Sequence, residues 1–166
     1  VVDPVMVATS GSRLLAGGAA GALAEYLFPL AEVITPNIPE AQALWGREIR
    51  TPSDMEAAAA AIGEKLPGAV LLKGGHLTDT ADDYLFTHSG GRWYRAGRVD
   101  NPNNHGSGCT LSSAIACRLA LGCDLEEAVG LAKDYVRRCM EAGLNLGAGS
   151  GPMKHMFPVP EGGSWT

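Results

Sequence analysis

Positive charge is scarce in this chain of 166 residues: 13 Lys and Arg stand against 18 Asp and Glu, a formal net charge of -5. An acidic chain without a basic cluster is a poor nucleic-acid binder and a poor anchor on an anionic membrane. Long apolar runs are missing too. The most apolar stretch, Leu14 to Leu30, is interrupted by Gly17, Gly18, Gly21 and Glu25, well short of the ~18 uninterrupted residues that span a bilayer. Val1-Val2-Asp3-Pro4-Val5 has no basic residue, so it does not read as a signal peptide. Cys109, Cys117, Cys123 and Cys139 show no C-x-x-C pairing. That speaks against a zinc site and for free thiols in a reducing, cytoplasmic setting. Any phosphate-bearing ligand must therefore be met by backbone N–H groups, a metal ion, or one or two placed cations.

What is present is a regular alternation of short apolar runs and helical patterns. Val1 to Val7 reads as a buried strand. A strand at residue 1, with no Met and no polar leader, leads us to expect further sequence upstream. Ala19 to Phe28 has helical spacing, with Leu23, Tyr26, Leu27 and Leu30 on one face. Glu32 to Thr35 reads as a strand, and Pro39 suits the start of a helix through Ala41 to Trp45. Ser53 and Glu56 have capping-box spacing at the head of an Ala-rich helix to about Leu66. Ala69 to Lys73 is a third buried strand. Asp83 to Thr87 and Trp93 to Val99 flank Ser89-Gly90-Gly91, a hairpin signal. Helices follow from about Cys109 to Leu121 and after an Asp124 cap, the latter with Leu125, Val129, Ala132, Val136 and Met140 as its apolar face. This pattern predicts an α/β fold with a mostly parallel sheet flanked by helices. With no linker visible, residues 1–166 are expected to form one domain.

The chemistry concentrates in Asn104-His105-Gly106-Ser107-Gly108-Cys109-Thr110. Two glycines before an apolar-periodic helix let several N–H groups face one space at the positive end of a helix dipole, a nest suited to phosphate. Helix mouths favour thiolate over thiol, which makes Cys109 a candidate base, nucleophile or metal ligand. The same residues also read as a tight turn and a small packed hydrophobe. Neither a Walker A lysine nor a dinucleotide fingerprint is present. Asn37 and Glu40, three apart at a helix start after a strand, fit a hydrated Mg²⁺, which needs only one or two carboxylates; Glu40 equally fits a plain first-turn acid. Asp3 is a second carboxylate or a turn-former before Pro4. Lys73, at a strand end before Gly74-Gly75, is a phosphate-facing cation or a lysine reaching from a sheet edge to solvent.

Asp3-Pro4-Val5-Met6, Thr35-Pro36-Asn37-x-x-Glu40, Leu72-Lys73-Gly74-Gly75-His76 and His105-Gly106-Ser107-Gly108-Cys109-Thr110 resemble, in order and spacing, the hydroxymethylpyrimidine and phosphomethylpyrimidine kinases of thiamin biosynthesis. These enzymes belong to the ribokinase-like superfamily. Gly149-Ser150-Gly151-Pro152-Met153-Lys154-His155-Met156-Phe157 resembles that family's C-terminal end. The resemblance implies ATP-dependent phosphorylation of hydroxymethylpyrimidine, its monophosphate or both. It implies an anion hole from Gly106, Ser107, Gly108 and Cys109, with Cys109 as general base and Thr110 beside the nucleotide. Asn37 and Glu40 would organise Mg²⁺, with Asp3 contributing; Lys73 would face the ATP phosphates and Val5 would line the pyrimidine pocket. A homodimer is implied for the complete protein.

The family's N-terminal portion, with its Gly-rich segment and substrate-binding Asp, has no counterpart here. The chain therefore reads as the C-terminal portion of a ribokinase-like domain, incomplete at its N-terminus, and these residues alone are expected to lack normal kinase activity. Alternatives are a pyridoxal kinase of the same superfamily, a nucleotide-binding remnant without chemistry, and a purely structural α/β domain.

Overall fold

The computed structural model describes residues 1–6, 18–75, 81–97, 99, 101, 105–144, 146 and 151–157. Val7, His76, Asn104, Gly149 and Ser150, which belong to the sequence patterns above, lie outside these residues. The chain divides into two compact units, Val1–Arg98 and Val99–Thr166.

The first unit is built on a sheet of strands β1 (Val33–Ile34), β2 (Ala69–Lys73), β3 (Asp83–Thr87) and β4 (Gly90–Tyr94), in that spatial order. β1 and β2 run parallel. Parallel neighbours need a crossover, supplied here by two helices, α2 (Ile38–Trp45) and α3 (Pro52–Gly63). β3 and β4 add antiparallel ladders, so the α/β sheet is mixed among the described strands. Its parallel part is extended by isolated pairings of Val2 with Ile34 and of Asn37 with Lys73.

α3 packs on β2 and β3. Ala58 and Ala59 are fully buried there, and a Cβ on Gly63 would collide with the Phe86 ring. Small residues let the helix lie close to the sheet. Phe28, Ile34, Met55, Ile62, Val70 and Leu72 fill the core between them.

Several elements differ from their sequence patterns. The strand expected over Val1 to Val7 is reduced, among its described residues, to the backbone bonds Val2 N–H to Val33 O and Thr35 N–H to Val2 O, each 3.0 Å. Pro4 and a turn from Val5 N–H to Asp3 O end the pairing. The segment from 19 to 30 is helical, but it changes pitch: α1 (Ala19–Ala22) passes into a wide turn at Leu23–Leu27 and a tight one at Phe28–Leu30. A wide turn shifts the angular phase, so 3.6-residue spacing no longer marks the inner face. Tyr26, Leu27 and Leu30 are exposed, and Phe28 is the buried residue.

α3 is capped two residues earlier than the Ser53–Glu56 spacing suggests. Thr51 Oγ1 accepts the Asp54 N–H at 3.2 Å, and Asp54 Oδ2 accepts the Thr51 N–H at 2.9 Å. Pro52, at a position where its missing N–H costs nothing, starts the helix there. The second hairpin strand begins at Gly90 rather than Trp93, because Gly90 and Gly91 pair with Thr87 and Phe86.

The second unit is a helix pair, α4 (Ser107–Ala120) packed on α5 (Leu125–Glu141). Asp124 caps α5 by accepting the Glu127 N–H at 2.8 Å. Ala128, Val129, Ala132 and Cys139 are its buried residues. Among the described residues no helix is long and apolar enough to cross a membrane.

Candidate active site

In the first unit, polar groups gather at the carboxyl ends of β1 and β2, where parallel α/β sheets present ligand sites. The backbone sets the arrangement. Lys73 N–H donates to Pro36 O at 2.8 Å, fixing the end of β2 against the loop that follows β1. Gly74 N–H donates to the buried Asp83 Oδ1 at 3.0 Å. A side chain on Gly74 would run into the carbonyl of Asp82, so the turn after Lys73 requires glycine for space.

On this frame Lys73 Nζ donates to Asp3 Oδ1 at 2.7 Å, and Thr35 Oγ1 donates to the same oxygen at 2.9 Å. The ion pair is mostly withdrawn from water, with side-chain exposures of 14% and 13%. Glu40 lies in the same field and is 3% exposed. Burial pushes its carboxyl above the ordinary carboxylate range. The Asp3 charge pushes the same way, while the Asn37 N–H, the Lys73 ammonium and the Met6 N–H pull it back.

Asn37 and Glu40 are joined by a reciprocal cap at the head of α2. Glu40 N–H donates to Asn37 Oδ1 at 2.9 Å, and Asn37 N–H donates to Glu40 Oε2 at 2.8 Å. Both residues thus hold the helix start. The spacing Asn-x-x-Glu contains that role, as Thr51-x-x-Asp54 does at the head of α3. Val5, two residues from Asp3, is 36% exposed.

Gly106, Ser107, Gly108, Cys109 and Thr110 lie in the second unit, at the start of α4. Gly106 is the N-cap with φ 85°, in the left-handed region that favours glycine. The helix begins at Ser107, two residues before the predicted start, so the Ser-Gly of the loop is already helical. The first backbone bond of α4 runs from Thr110 N–H to Gly106 O at 2.9 Å. The N–H groups of Ser107, Gly108 and Cys109 precede it and have no acceptor within the helix. Gly106 has no side chain with which to cap this end, and no other cap is seen among the described residues. Thr110 Oγ1 donates to Gly106 O at 2.8 Å, closing the first turn.

Cys109 is exposed, and with Ser113, Cys117, Leu131 and Tyr135 it lines a cleft of about 600 Å³. His105 is paired in parallel with Pro152. The C-terminal segment is thereby held beside the glycine loop, with Met153 buried and Lys154 N–H donating to Cys139 O. No spacing in the sequence signals that pairing.

Each group is chemically legible. The first offers a cation, two carboxylates and a buried hydroxyl. The second offers a helix N-terminus and a thiol. Among the described residues, no three His, Cys, Asp or Glu side chains gather into a metal-binding group.

A family model described as phosphomethylpyrimidine kinase matches residues 1–154. The hydroxymethylpyrimidine/phosphomethylpyrimidine kinase of Streptomyces coelicolor is 44% identical over 161 residues, covering 97% of this chain and 60% of that protein. The ADP complex of Bacillus subtilis pyridoxal kinase superposes with a TM-score of 0.83 at 37% identity, over 92% of this chain and 58% of that one. The phosphomethylpyrimidine kinase of Clostridium difficile superposes with a TM-score of 0.70 at 43% identity, over 82% of this chain and 55% of that one. The chain thus spans about 60% or less of the length of each of these relatives.

Proposed function

The chain belongs to the phosphomethylpyrimidine kinase family, and from that premise we propose that it serves the ATP-dependent phosphorylation of hydroxymethylpyrimidine, its monophosphate or both. The observation that carries the reading is the start of α4: a left-handed Gly106, three N–H groups with no acceptor in the helix, and an exposed Cys109 at the third helical position. Phosphoryl transfer requires positioning and charge neutralisation rather than covalent chemistry by the protein, and a helix N-terminus whose N-cap is glycine offers both.

In the proposed reaction the hydroxymethyl oxygen of the alcohol, or a phosphate oxygen of the monophosphate, attacks the γ-phosphorus, and the bond to the bridging oxygen of ADP breaks. Cys109 accepts the hydroxyl proton. The N–H groups of Ser107, Gly108 and Cys109 receive the charge on the transferred group, with Gly106 and Thr110 shaping the turn that aims them. Lys73 neutralises nucleotide phosphate charge, and Val5 borders the pyrimidine.

Mg²⁺ fits the residues present. It keeps several waters and needs one or two carboxylates, and the buried Glu40 and the part-buried Asp3 feel each other's charge and that of Lys73. Glu40 and Asp3 would hold it, with Asn37 fixing Glu40 through the cap. When bound, the ion neutralises charge on the nucleotide phosphates.

A second substrate reading is pyridoxal, favoured by the close superposition on the pyridoxal kinase. Competition of hydroxymethylpyrimidine against pyridoxal for ATP-dependent phosphorylation by the complete gene product separates the two. The pyrimidine product is expected to dominate; preferential phosphorylation of pyridoxal reverses the assignment.

A further inference from the structure

Thr35 is fully buried, yet it carries a hydroxyl in a position where Val would fill the same volume. A buried hydroxyl without a partner is costly, and the one it has is informative: Asp3 Oδ1, at 2.9 Å. That oxygen also receives the Lys73 ammonium at 2.7 Å. Two donors from two strand ends, one neutral and one charged, thus meet on one carboxylate oxygen. The Thr35 backbone reinforces the geometry, because its N–H donates to Val2 O, beside Asp3.

A carboxylate held only by a lysine can rotate about its side-chain bonds, and the lysine can follow it. A second donor fixed in the sheet removes that freedom. An ammonium has three donors, so Lys73 can keep Asp3 and still offer protons to a phosphate. We propose that Thr35 is a positioning residue for nucleotide triphosphate binding, acting through Asp3 to hold the Lys73 ammonium where phosphate oxygens meet it. This rests on the nucleotide reading above. Thr35 touches neither nucleotide nor substrate in this role.

The test compares Thr35→Val and Thr35→Ser in the complete gene product, with two readouts. The first needs no nucleotide: solvent exchange of the Lys73 ammonium protons, followed by NMR on lysine-labelled protein. Exchange is expected to be slow in the wild type and in Thr35→Ser, and faster in Thr35→Val. The second is affinity for a non-hydrolysable ATP analogue with Mg²⁺. Thr35→Val is expected to weaken it by roughly tenfold, the scale of one hydrogen bond to a charged group, with Thr35→Ser near wild type and adenosine affinity unchanged.

In a Lys73→Ala background the Thr35→Val loss should vanish, since the pathway runs through Lys73. Unchanged Lys73 exchange in Thr35→Val, equal losses in Val and Ser variants, or a loss that persists without Lys73 overturns the proposal. If the wild type binds no ATP analogue, the nucleotide reading fails and the triphosphate role fails with it. The exchange measurement then still decides whether Thr35 holds Lys73, so the two failures are told apart.

Discussion

Glu40 illustrates how one residue serves both the scaffold and the chemistry. Its carboxylate closes the α2 cap and is almost wholly buried. Because burial raises its folded value above the unfolded one, the folded chain holds the Glu40 proton more readily than the unfolded chain does. Its contribution to stability is therefore fully present below the ordinary carboxylate range, about pH 4, and is lost as pH rises through the raised value. Above that value, ionising the buried Glu40 costs stability. Glu40→Gln keeps an oxygen for the Asn37 N–H and removes that charge. Thermal melts should show the variant no less stable than wild type at pH 7, with its relative advantage shrinking as both are acidified toward pH 4, while affinity for Mg²⁺ and ATP falls. A variant markedly less stable at pH 7 would mean that the charge itself holds the fold. Glu40 is legible in the sequence as a candidate, since Asn-x-x-Glu admits both a cap and a metal role. The Asp3–Lys73 pair is not: its members lie 70 positions apart, and only strand pairing brings them together.

Among the elements, two glycines matter for different physical reasons, and the difference can be measured. Gly106 has φ 85° and open space where a Cβ would go, so only backbone conformation demands glycine. Gly74 has no left-handed φ, but a Cβ there meets the carbonyl of Asp82. Gly106→Ala should cost about 1–2 kcal/mol, the strain of a left-handed non-glycine residue. Gly74→Ala should cost about 1–3 kcal/mol by overpacking and shift the end of β2 that carries Lys73. Denaturant melts give both numbers, and a neutral Gly74→Ala would show that the close approach at Asp82 costs nothing to relieve. Sequence patterns locate most elements but misplace their ends. The cap of α3 escapes because Asp54, not Glu, occupies its third position. Of the apolar face of residues 19–30, Leu23 packs on the core while Tyr26, Leu27 and Leu30 turn outward, because a wide turn breaks the 3.6-residue phase, and no propensity in Leu23 to Leu27 announces that turn.

For the molecule as a whole, alternation of strands and helices is enough to read an α/β fold, and four short motifs in order are enough to read the family. The mixed sheet is partly legible, since Ser89-Gly90-Gly91 signals the hairpin whose antiparallel ladders supplement the parallel pairings of Val2, β1 and β2. Long-range pairings such as His105 with Pro152 are not, because register between distant segments leaves no local trace. Everything proposed for the chemistry depends on the start of α4 serving phosphoryl transfer, with Cys109 accepting the proton. The most direct measurement is turnover and ATP affinity of the complete gene product with hydroxymethylpyrimidine, for wild type and Cys109→Ala. Wild type is expected to transfer the γ-phosphoryl group. Cys109→Ala is expected to lower turnover about 10²–10⁴-fold, the range of general acid–base catalysis, with ATP affinity nearly unchanged. Undiminished turnover in Cys109→Ala would remove the thiol from the proton transfer.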